Sequence, residues 1–277
     1  MTDDASDESL LAAAREGDRQ ALERLLERHQ ERVYRFGMKM CRDPEDAKDV
    51  LQDTLLAMAR GIRTFRGGSS LSTWLYTIAR SFCIKKRRRS TFAPEAERSL
   101  DSDATGETRQ LATPDTAPDE ALAGRQVERA LEQAIAGLDP IYREVLILRD
   151  VEGLTAPQVA EVLDVSVQAV KSRLHRARLS VRERVAPLIG VEPAAAPSGG
   201  CPDVVLMFSQ HLEGEISAER CAEMERHLEG CGRCRGTCDS LRRTLSLCRT
   251  AGPSAPVPAS VQASVRTALR GLLSETP

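Results

Sequence analysis

The stretch Thr155–Arg184 constrains the fold of this chain most, because it has the pattern of two short helices joined by a tight turn. Thr155 and Gln158 have the spacing of a capping box, which begins the first helix. Asp164 tolerates the left-handed conformation that can end this helix, and Ser166 can cap the next one. These features predict a helix-turn-helix.

The second helix of this motif is strongly basic. Its basic residues, with Glu183 as the only acid among them, are Lys171, Arg173, Arg176, Arg178, Arg182 and Arg184. Such a run of charge alone is typical of a solvated helix face. The turn, the helix caps and the small Ala160, where the two helices must approach each other, are further features of a helix-turn-helix. Combined with them, the basic run favours DNA binding.

Composition limits the fold class and the compartment. The chain has 277 residues, enough for two or three small domains, and only 3% are aromatic. Leucine, valine and alanine recur at helical spacing, so an all-α fold of small helical domains is expected. No apolar run approaches the roughly 18–20 residues of a membrane span, and the acidic N-terminus lacks a signal-peptide pattern. These features predict a cytoplasmic protein with no membrane partner.

The N-terminal region shows two helical patterns. The pattern turns helical from Leu10, and the three-and-four spacing of one buried stripe is followed by Leu22, Leu25, Leu26, Val33, Phe36 and Met40. Asp43 and Pro44 then begin a second helix. Its polar side carries Asp46, Asp49, Gln52 and Asp53, which on charge alone would simply be solvated.

A basic and aromatic segment follows a glycine- and serine-rich loop. Trp74 and Tyr76 precede Arg80 and the run Lys85–Arg89, and residues 67–94 contain no acid. This combination suits a phosphate backbone with unstacked bases. The alternative is that Trp74 belongs to the core and the basic run is solvated.

Changes of composition predict the domain boundaries. Residues 93–124 are acidic and poor in large apolar residues, which is typical of a disordered linker. Helical patterning resumes near Val127, and Asp139 with Pro140 begins a further helix. The predicted organisation is a helical domain at 8–92, a linker at 93–124, a helix-turn-helix domain at 125–188, a linker at 189–200, a cysteine-rich domain at 201–250 and a tail at 251–277 with one short amphipathic helix.

Six of the eight cysteines lie between Cys201 and Cys248, which predicts a metal site in a reducing compartment. His227, Cys231 and Cys234, with the upstream Cys201, supply four ligands for a tetrahedral ion. If the segment is one helix, Cys238 lies on the same stripe. The surplus thiols Cys221, Cys238 and Cys248 are possible further ligands for a sensed metal, although Cys248 is equally consistent with an ordinary core residue.

The chemistry of the thiols restricts the metal. Thiolates select Zn²⁺, Cd²⁺ or copper over Mg²⁺ and Ca²⁺. The chain has no Cys-x-Cys pair, which favours zinc or cadmium over copper. An enzyme is not expected, because the chain lacks a phosphate-binding glycine loop, an H-E-x-x-H motif and a nucleophile–base pair.

Four segments of the chain resemble the group 4, or extracytoplasmic-function, sigma factors of bacterial RNA polymerase: DPEDAKDVLQDTLLAMAR, LSTWLYTIARSFCIKKRRR, LDPIYREVLILRDVEGLTAPQVAEVL and VQAVKSRLHRAR. The resemblance implies a σ2 domain for the promoter −10 element and a σ4 domain for the −35 element. It implies that Asp46, Asp49, Gln52 and Asp53 contact the β′ clamp of core polymerase, with the β flap as a second polymerase partner.

The same resemblance implies two DNA-binding sets. In σ2 the DNA-facing residues are Trp74, Arg80, Lys85, Lys86, Arg87 and Arg88. In σ4 the groove-facing residues are Gln168, Lys171, Ser172, His175 and Arg176.

The cysteine-rich segment HLEGEISAERCAEMERHLEGCGRC resembles the zinc-finger module of zinc-binding anti-sigma factors. A sigma factor with such a fused domain resembles the subgroup whose members respond to metal ions. This implies that metal binding switches activity in cis, and activation is the expected direction. Two alternatives remain open: a helix-turn-helix activator that does not replace the sigma subunit, and a zinc that only holds the small domain together.

Overall fold

The computed structural model describes residues 6–41, 43–92, 118–189, 201–250 and 257–274. All regular secondary structure in these ranges is helical, which confirms the predicted all-α class. None of the helices within these ranges is both long and apolar enough to cross a membrane. The chain divides into two units, Met1–Gln110 with Pro253–Pro277, and Leu111–Gly252.

Twelve α-helices occur in the described ranges. In the first unit they are α1 (Asp7–Arg15), α2 (Arg19–Cys41), α3 (Pro44–Gly61), α4 (Leu71–Phe92) and α12 (Ala259–Ser274). In the second unit they are α5 (Pro118–Ala136), α6 (Pro140–Leu146), α7 (Ala156–Leu163), α8 (Val167–Val185), α9 (Val204–Leu212), α10 (Ala218–Gly230) and α11 (Gly232–Thr250). A π-helical turn, Ile147–Val151, continues α6.

The predicted N-terminal stripe is buried and lies on α2, whereas the helical pattern that starts near Leu10 is divided between α1 and α2. Gly17, with φ +100°, separates α1 from α2. The Asp18 carboxylate then accepts hydrogen bonds from the backbone N–H groups of Gln20 and Ala21 at 2.9 and 3.1 Å, so it begins the new helix. All six apolar residues predicted for the stripe between Leu22 and Met40 are buried.

Close approach of α2 and α3 organises the core of the first unit. A Cβ at Gly37 of α2 would lie 3.3 Å from the Cα of Ala47, so glycine lets the two helix backbones pack directly. The Phe36 and Tyr76 rings meet at 5.3 Å between centroids and bring α4 to the same core.

The helix predicted in the C-terminal tail is present as α12 and packs against α2 and α3. Its Val261 and Val265 are buried. Arg266 donates to Glu27 of α2 at 3.0 Å. The tail is therefore part of the first unit.

In the second unit, α5 begins at Pro118, inside the predicted 93–124 linker, because the fixed φ of proline suits the first turn of a helix. The rest of that linker, and 190–200 of the second one, lie outside the described residues. Buried Arg143 of α6 holds the end of α5 by donating to the carbonyls of Ile135, Ala136 and Leu138 at 3.2, 2.7 and 2.8 Å. These bonds satisfy carbonyls that the end of a helix leaves unpaired.

The predicted helix-turn-helix is formed by α7 and α8. Thr155 and Gln158 make the expected capping box. Asp164 has φ 54° and ψ 53°, the left-handed conformation predicted for it. Ser166 caps α8 by accepting the N–H of Ala169 at 3.1 Å.

Helices α9, α10 and α11 form a small module, which we call the Cys module (residues 201–250). Its core is built around Met207, Phe208, Met224, Leu241 and Leu245. Helix α11 also packs against α8, so the Cys module and the helix-turn-helix belong to one unit.

The turn at Asp164 gives a stability prediction. Asp164→Ala should lower the free energy of unfolding by about 1 kcal/mol, because alanine cannot relieve the left-handed conformation with a local polar contact. Asp164→Asn is the matched control and should be nearly neutral, since asparagine tolerates this conformation. Chemical unfolding of the full chain followed by circular dichroism measures the difference. Equal stability of the two variants would contradict the account of the turn.

Candidate functional site

Four predicted metal ligands converge in the Cys module. The ligand atoms of Cys201, His227, Cys231 and Cys234 all lie within 4.8 Å of one another. Cys201 precedes α9, His227 lies in the last turn of α10, and Cys234 lies in the first turn of α11. Three separate elements therefore bring one ligand set together, which we call the four-ligand group.

The chain between α10 and α11 is not one continuous helix. Helix α10 ends at Gly230 and α11 begins at Gly232, while Cys231 between them is extended, with φ −120° and ψ 98°. The predicted stripe that would add Cys238 to the other ligands is therefore wrong. Cys238 lies in the core of the module, where burial raises the pKa of its thiol to about 11.

The residues present fit a tetrahedral soft or borderline cation. The backbone N–H of Cys234, and then its thiol, lower the pKa of Cys231, whereas burial raises the pKa of Cys234 to about 12. Nε2 of His227 is buried and has no hydrogen-bond partner among the described residues. A bound divalent cation would give this nitrogen a partner and favour thiolates at the three sulfurs.

The other two surplus thiols also lie apart from the four-ligand group. Cys248 is fully buried in α11. Cys221 is partly exposed, with its sulfur 3.8 Å from Nδ1 of His211 and 3.7 Å from Oε1 of Glu225. Sequence reasoning did not single out His211 as a neighbour of this thiol, because the two residues lie on different helices.

The Cys module contacts α8 through the turn between α9 and α10, residues 213–215, which we call the acidic turn. Glu213 accepts hydrogen bonds from Arg149 and Arg178, both at 3.0 Å. Glu215 forms an ion pair with Lys171. Gly214 has φ +69°, a conformation that lets the turn place both carboxylates beside these cations.

The helix α8 residues predicted to face DNA fall into two groups. Gln168, Ser172 and Arg176 are exposed, and Arg176 donates to the Tyr142 hydroxyl at 3.2 Å. Lys171 and His175 are half-buried against the Cys module. Nδ1 of His175 lies 3.1 Å from Oγ of Ser209, and burial lowers the pKa of this histidine.

Two arginines counted in the basic run are buried instead of solvated. Arg178 makes a bidentate pair with buried Asp150, at 2.9 and 2.6 Å. Arg182 donates to Ser240 of α11. The sequence could not reveal these roles, because Asp150 and Ser240 are distant in the chain.

The acidic side of α3 keeps Asp49 and Asp53 exposed, with Asp46 and Gln52 half-buried. Lys86 of α4 pairs with Asp49 and lies 3.5 Å from Asp46. The structure thus joins a lysine predicted to face DNA to the residues predicted to contact polymerase.

The remaining basic and aromatic residues of α4 show a mixed arrangement. Trp74 stacks on Phe65 with ring centroids 4.7 Å apart and packs against Gly61, yet remains partly exposed. The Lys85 ammonium lies 4.9 Å from the centroid of the Phe82 ring. Arg80 is half-buried, while Arg87 and Arg88 are exposed.

The four-ligand group predicts specific zinc binding. Cys231→Ser should weaken zinc binding at least roughly tenfold, because a hydroxyl replaces a thiolate ligand. Cys248→Ala, which removes a core thiol outside the group, should keep the wild-type affinity. Competition with a chromogenic chelator measures both constants. Equal weakening in both variants would contradict the assignment of the ligands.

Three family models match the chain. They are Sigma-70 region 2 at residues 25–92, Sigma-70 region 4 at residues 128–181 and a zinc-finger family at residues 201–235. The first match covers α3, α4 and most of α2, the second covers α7 and most of α8, and the third contains the four-ligand group.

Curated relatives agree with these matches. The RNA polymerase sigma-H factor of Pseudomonas aeruginosa is 30% identical over 195 residues, which are 68% of this chain and 98% of that protein. The ECF RNA polymerase sigma factor SigM of Mycobacterium tuberculosis is 32% identical over 185 residues, 67% of this chain and 85% of that protein. A solved structure of CnrH in complex with the cytosolic domain of CnrY is 24% identical, with a TM-score of 0.46, and the match covers 68% of this chain and 99% of that one.

The chain belongs to the extracytoplasmic-function family of RNA polymerase sigma factors, which are non-enzymatic proteins of transcription initiation. It carries in addition a zinc-finger region of the anti-sigma type.

Proposed function

We propose that this sigma factor recruits core RNA polymerase to its promoters and that its own Cys module controls DNA reading by α8. The observation that carries the proposal is the acidic turn, whose Glu213 and Glu215 neutralise Arg149, Arg178 and Lys171. Because polymerase and promoter DNA are its partners, we assign the protein to the cytoplasm.

The acidic side of α3 is the proposed contact for the β′ clamp of polymerase. Exposed Asp49 and Asp53 supply negative charge on a well-packed helix, with Asp46 and Gln52 beside them. The pair between Lys86 and Asp49 is solvent-accessible, so polymerase can replace Lys86 at modest cost. The σ4 domain would contact the β flap, as the family resemblance implies.

The basic end of α4 is the proposed contact for the −10 region. Lys85, Arg87 and Arg88 are exposed and can reach phosphates. Trp74 keeps part of its ring accessible while Phe65 supports the other part, an arrangement that suits stacking on an unpaired base. Displacement of Lys86 from Asp49 would add a further cation to this set.

Helix α8 is the proposed reader of the −35 element, through Gln168, Lys171, Ser172, His175 and Arg176. The acidic turn competes with DNA for part of this surface. Lys171 cannot pair fully with Glu215 and with a phosphate at once, and Ser209 occupies one ring nitrogen of His175. The carboxylates of the turn therefore act where DNA phosphates would otherwise bind.

Metal binding is the proposed control of this competition. The four ligands converge in the same arrangement in which the acidic turn holds α8. We call the arrangement in which the Cys module contacts Lys171 and His175 of α8 the covering arrangement. A zinc ion bound to the four-ligand group would stabilise it, since a ligand favours the conformation that binds it better. Loss of this zinc should therefore expose α8.

Activation by added metal, the direction expected from the sequence, requires ligands outside the four-ligand group. Cys221 is the suitable thiol, because it is partly exposed and has His211 and Glu225 as polar neighbours. Zn²⁺ or Cd²⁺ suits sulfur and imidazole donors. His211 lies two residues before Glu213, so metal binding at Cys221 would act directly on the acidic turn.

The sigma-factor role predicts a loss of polymerase binding. Reversing two charges in Asp49→Lys/Asp53→Lys should weaken the affinity for core polymerase roughly tenfold or more, because like charges would face each other across the interface. Glu31→Lys on exposed α2 is the control for charge alone. Fluorescence titration with core enzyme gives the affinities, and run-off transcription with core enzyme alone gives the activity. If the wild type only stimulates a holoenzyme that already carries another sigma subunit, the activator alternative is correct.

The masking role predicts a gain of DNA binding. Glu213→Gln/Glu215→Gln should raise the affinity of the full chain for a −35 duplex roughly fivefold or more, since about 1 kcal/mol or more of ion pairing is removed. Glu223→Gln/Glu229→Gln removes the same charge from exposed positions of α10 and should leave the affinity near the wild-type value. Fluorescence anisotropy at fixed salt measures the binding. An equal gain in both double variants would mean that net charge alone is responsible.

A further inference from the structure

Two cysteines outside the Cys module meet within the first unit. Cys41 is the last residue of α2, and Cys83 lies in the middle of α4. Their sulfur atoms are 3.3 Å apart, in hydrogen-bond contact, although the residues are 42 positions apart in the chain. The helix packing, and not the local sequence, therefore brings the two thiols together.

The surroundings of this thiol pair favour reaction at Cys41. Cys41 is partly exposed, whereas Cys83 is buried, so an oxidant reaches Cys41 first. The hydrogen bond with Cys83 is the main cause that lowers the pKa of Cys41. Burial and the charges of Asp43 and Asp46 oppose this effect, and the nearby Lys86 supports it. A larger thiolate fraction makes a cysteine more reactive toward peroxide.

We propose that Cys41 and Cys83 are a reversible disulfide site that responds to hydroperoxides. The Cys41 thiolate attacks one peroxide oxygen, the O–O bond breaks, and Cys41 becomes a sulfenic acid while the peroxide is reduced to water. The Cys83 sulfur then attacks the Cys41 sulfur, the S–O bond breaks, and a second water leaves. In total two thiols and one hydrogen peroxide give one disulfide and two waters, and a small dithiol reductant reverses the change.

The disulfide would join the end of α2 to α4 and enclose α3 in the resulting loop. Cross-linking of positions 41 and 83 restricts the unfolded chain, so the oxidised first unit should be more resistant to unfolding. Lys86 lies three residues after Cys83 and holds Asp46 and Asp49 of α3. The link would therefore stiffen the part of α4 that faces the acidic side of α3. This inference does not depend on the metal control proposed above.

Peptide mapping of the full-length, zinc-loaded protein tests the site. The protein is exposed to hydrogen peroxide at a low molar ratio, denatured in an alkylating agent and digested with trypsin without reduction. The expected product is peptide Met40–Arg42 linked to peptide Ser81–Lys85. Peptide Thr244–Arg249, which contains buried Cys248, is the internal control and should be recovered alkylated.

Two further readouts separate the site from general oxidation. The linked peptide should disappear after treatment with dithiothreitol, and peroxide should raise the melting temperature of the wild type but not that of Cys41→Ser. Recovery of both peptides in alkylated form would overturn the proposal. So would Cys41 in an irreversible sulfonic form, or Cys41 linked to a cysteine of the Cys module. The wild-type map is decisive even if a variant folds poorly.

Discussion

The buried pair between Arg178 and Asp150, which Glu213 extends, is the interaction on which the second unit depends. Arg178 lies in α8, the second helix of the helix-turn-helix, Asp150 lies in the π-helical turn after α6, and Glu213 belongs to the acidic turn of the Cys module. One guanidinium thus joins three parts of the chain. Removing one partner of such a buried pair typically costs about 3–5 kcal/mol, because the remaining charge lies where water cannot solvate it. The acidic turn is therefore held at α8 by a contact that also orders the helix-turn-helix.

In the proposed control, this contact would connect the metal site to DNA binding without any distant relay. The four-ligand group brings together α10, α11 and the segment before α9, which a bound ion would hold in place, and the acidic turn lies between α9 and α10. Helix α11 also packs against α8, where Ser240 accepts from Arg182. The order of the Cys module and the position of the acidic turn are thus consequences of the same packing. In the released arrangement the acidic turn would have left α8. Metal binding can change the DNA affinity only if the metal binds the covering and the released arrangements with different affinities.

Sequence patterns predicted the local structure well and the tertiary roles less well. The capping box at Thr155, the left-handed Asp164 and the closely spaced ligands His227, Cys231 and Cys234 follow from residue types at short spacing, and the structure contains all three features. The sequence placed Cys238 with the other ligands only if the segment were one helix, and the break between Gly230 and Gly232 removes that condition, while Cys238 lies in the core. Sequence reasoning also counted Arg178 in the basic run that favours DNA binding, because its partners Asp150 and Glu213 are 28 and 35 residues away and the local sequence does not reveal them. Charge patterns show which residues can bind a ligand, whereas the fold determines which of them are already paired within the chain.

The most direct test of the central claim is the affinity of the full chain for a −35 duplex with and without zinc in the four-ligand group. The protein would be loaded with one equivalent of zinc or stripped with a chelator under reducing conditions, with Cys231→Ser as the variant that cannot complete the group. The account predicts that stripping raises the DNA affinity of the wild type, that Cys231→Ser has the raised affinity at either zinc level, and that Lys171→Ala/Arg176→Ala abolishes the gain. Unchanged or weaker DNA binding after zinc removal, with α8 still folded by circular dichroism, would contradict it.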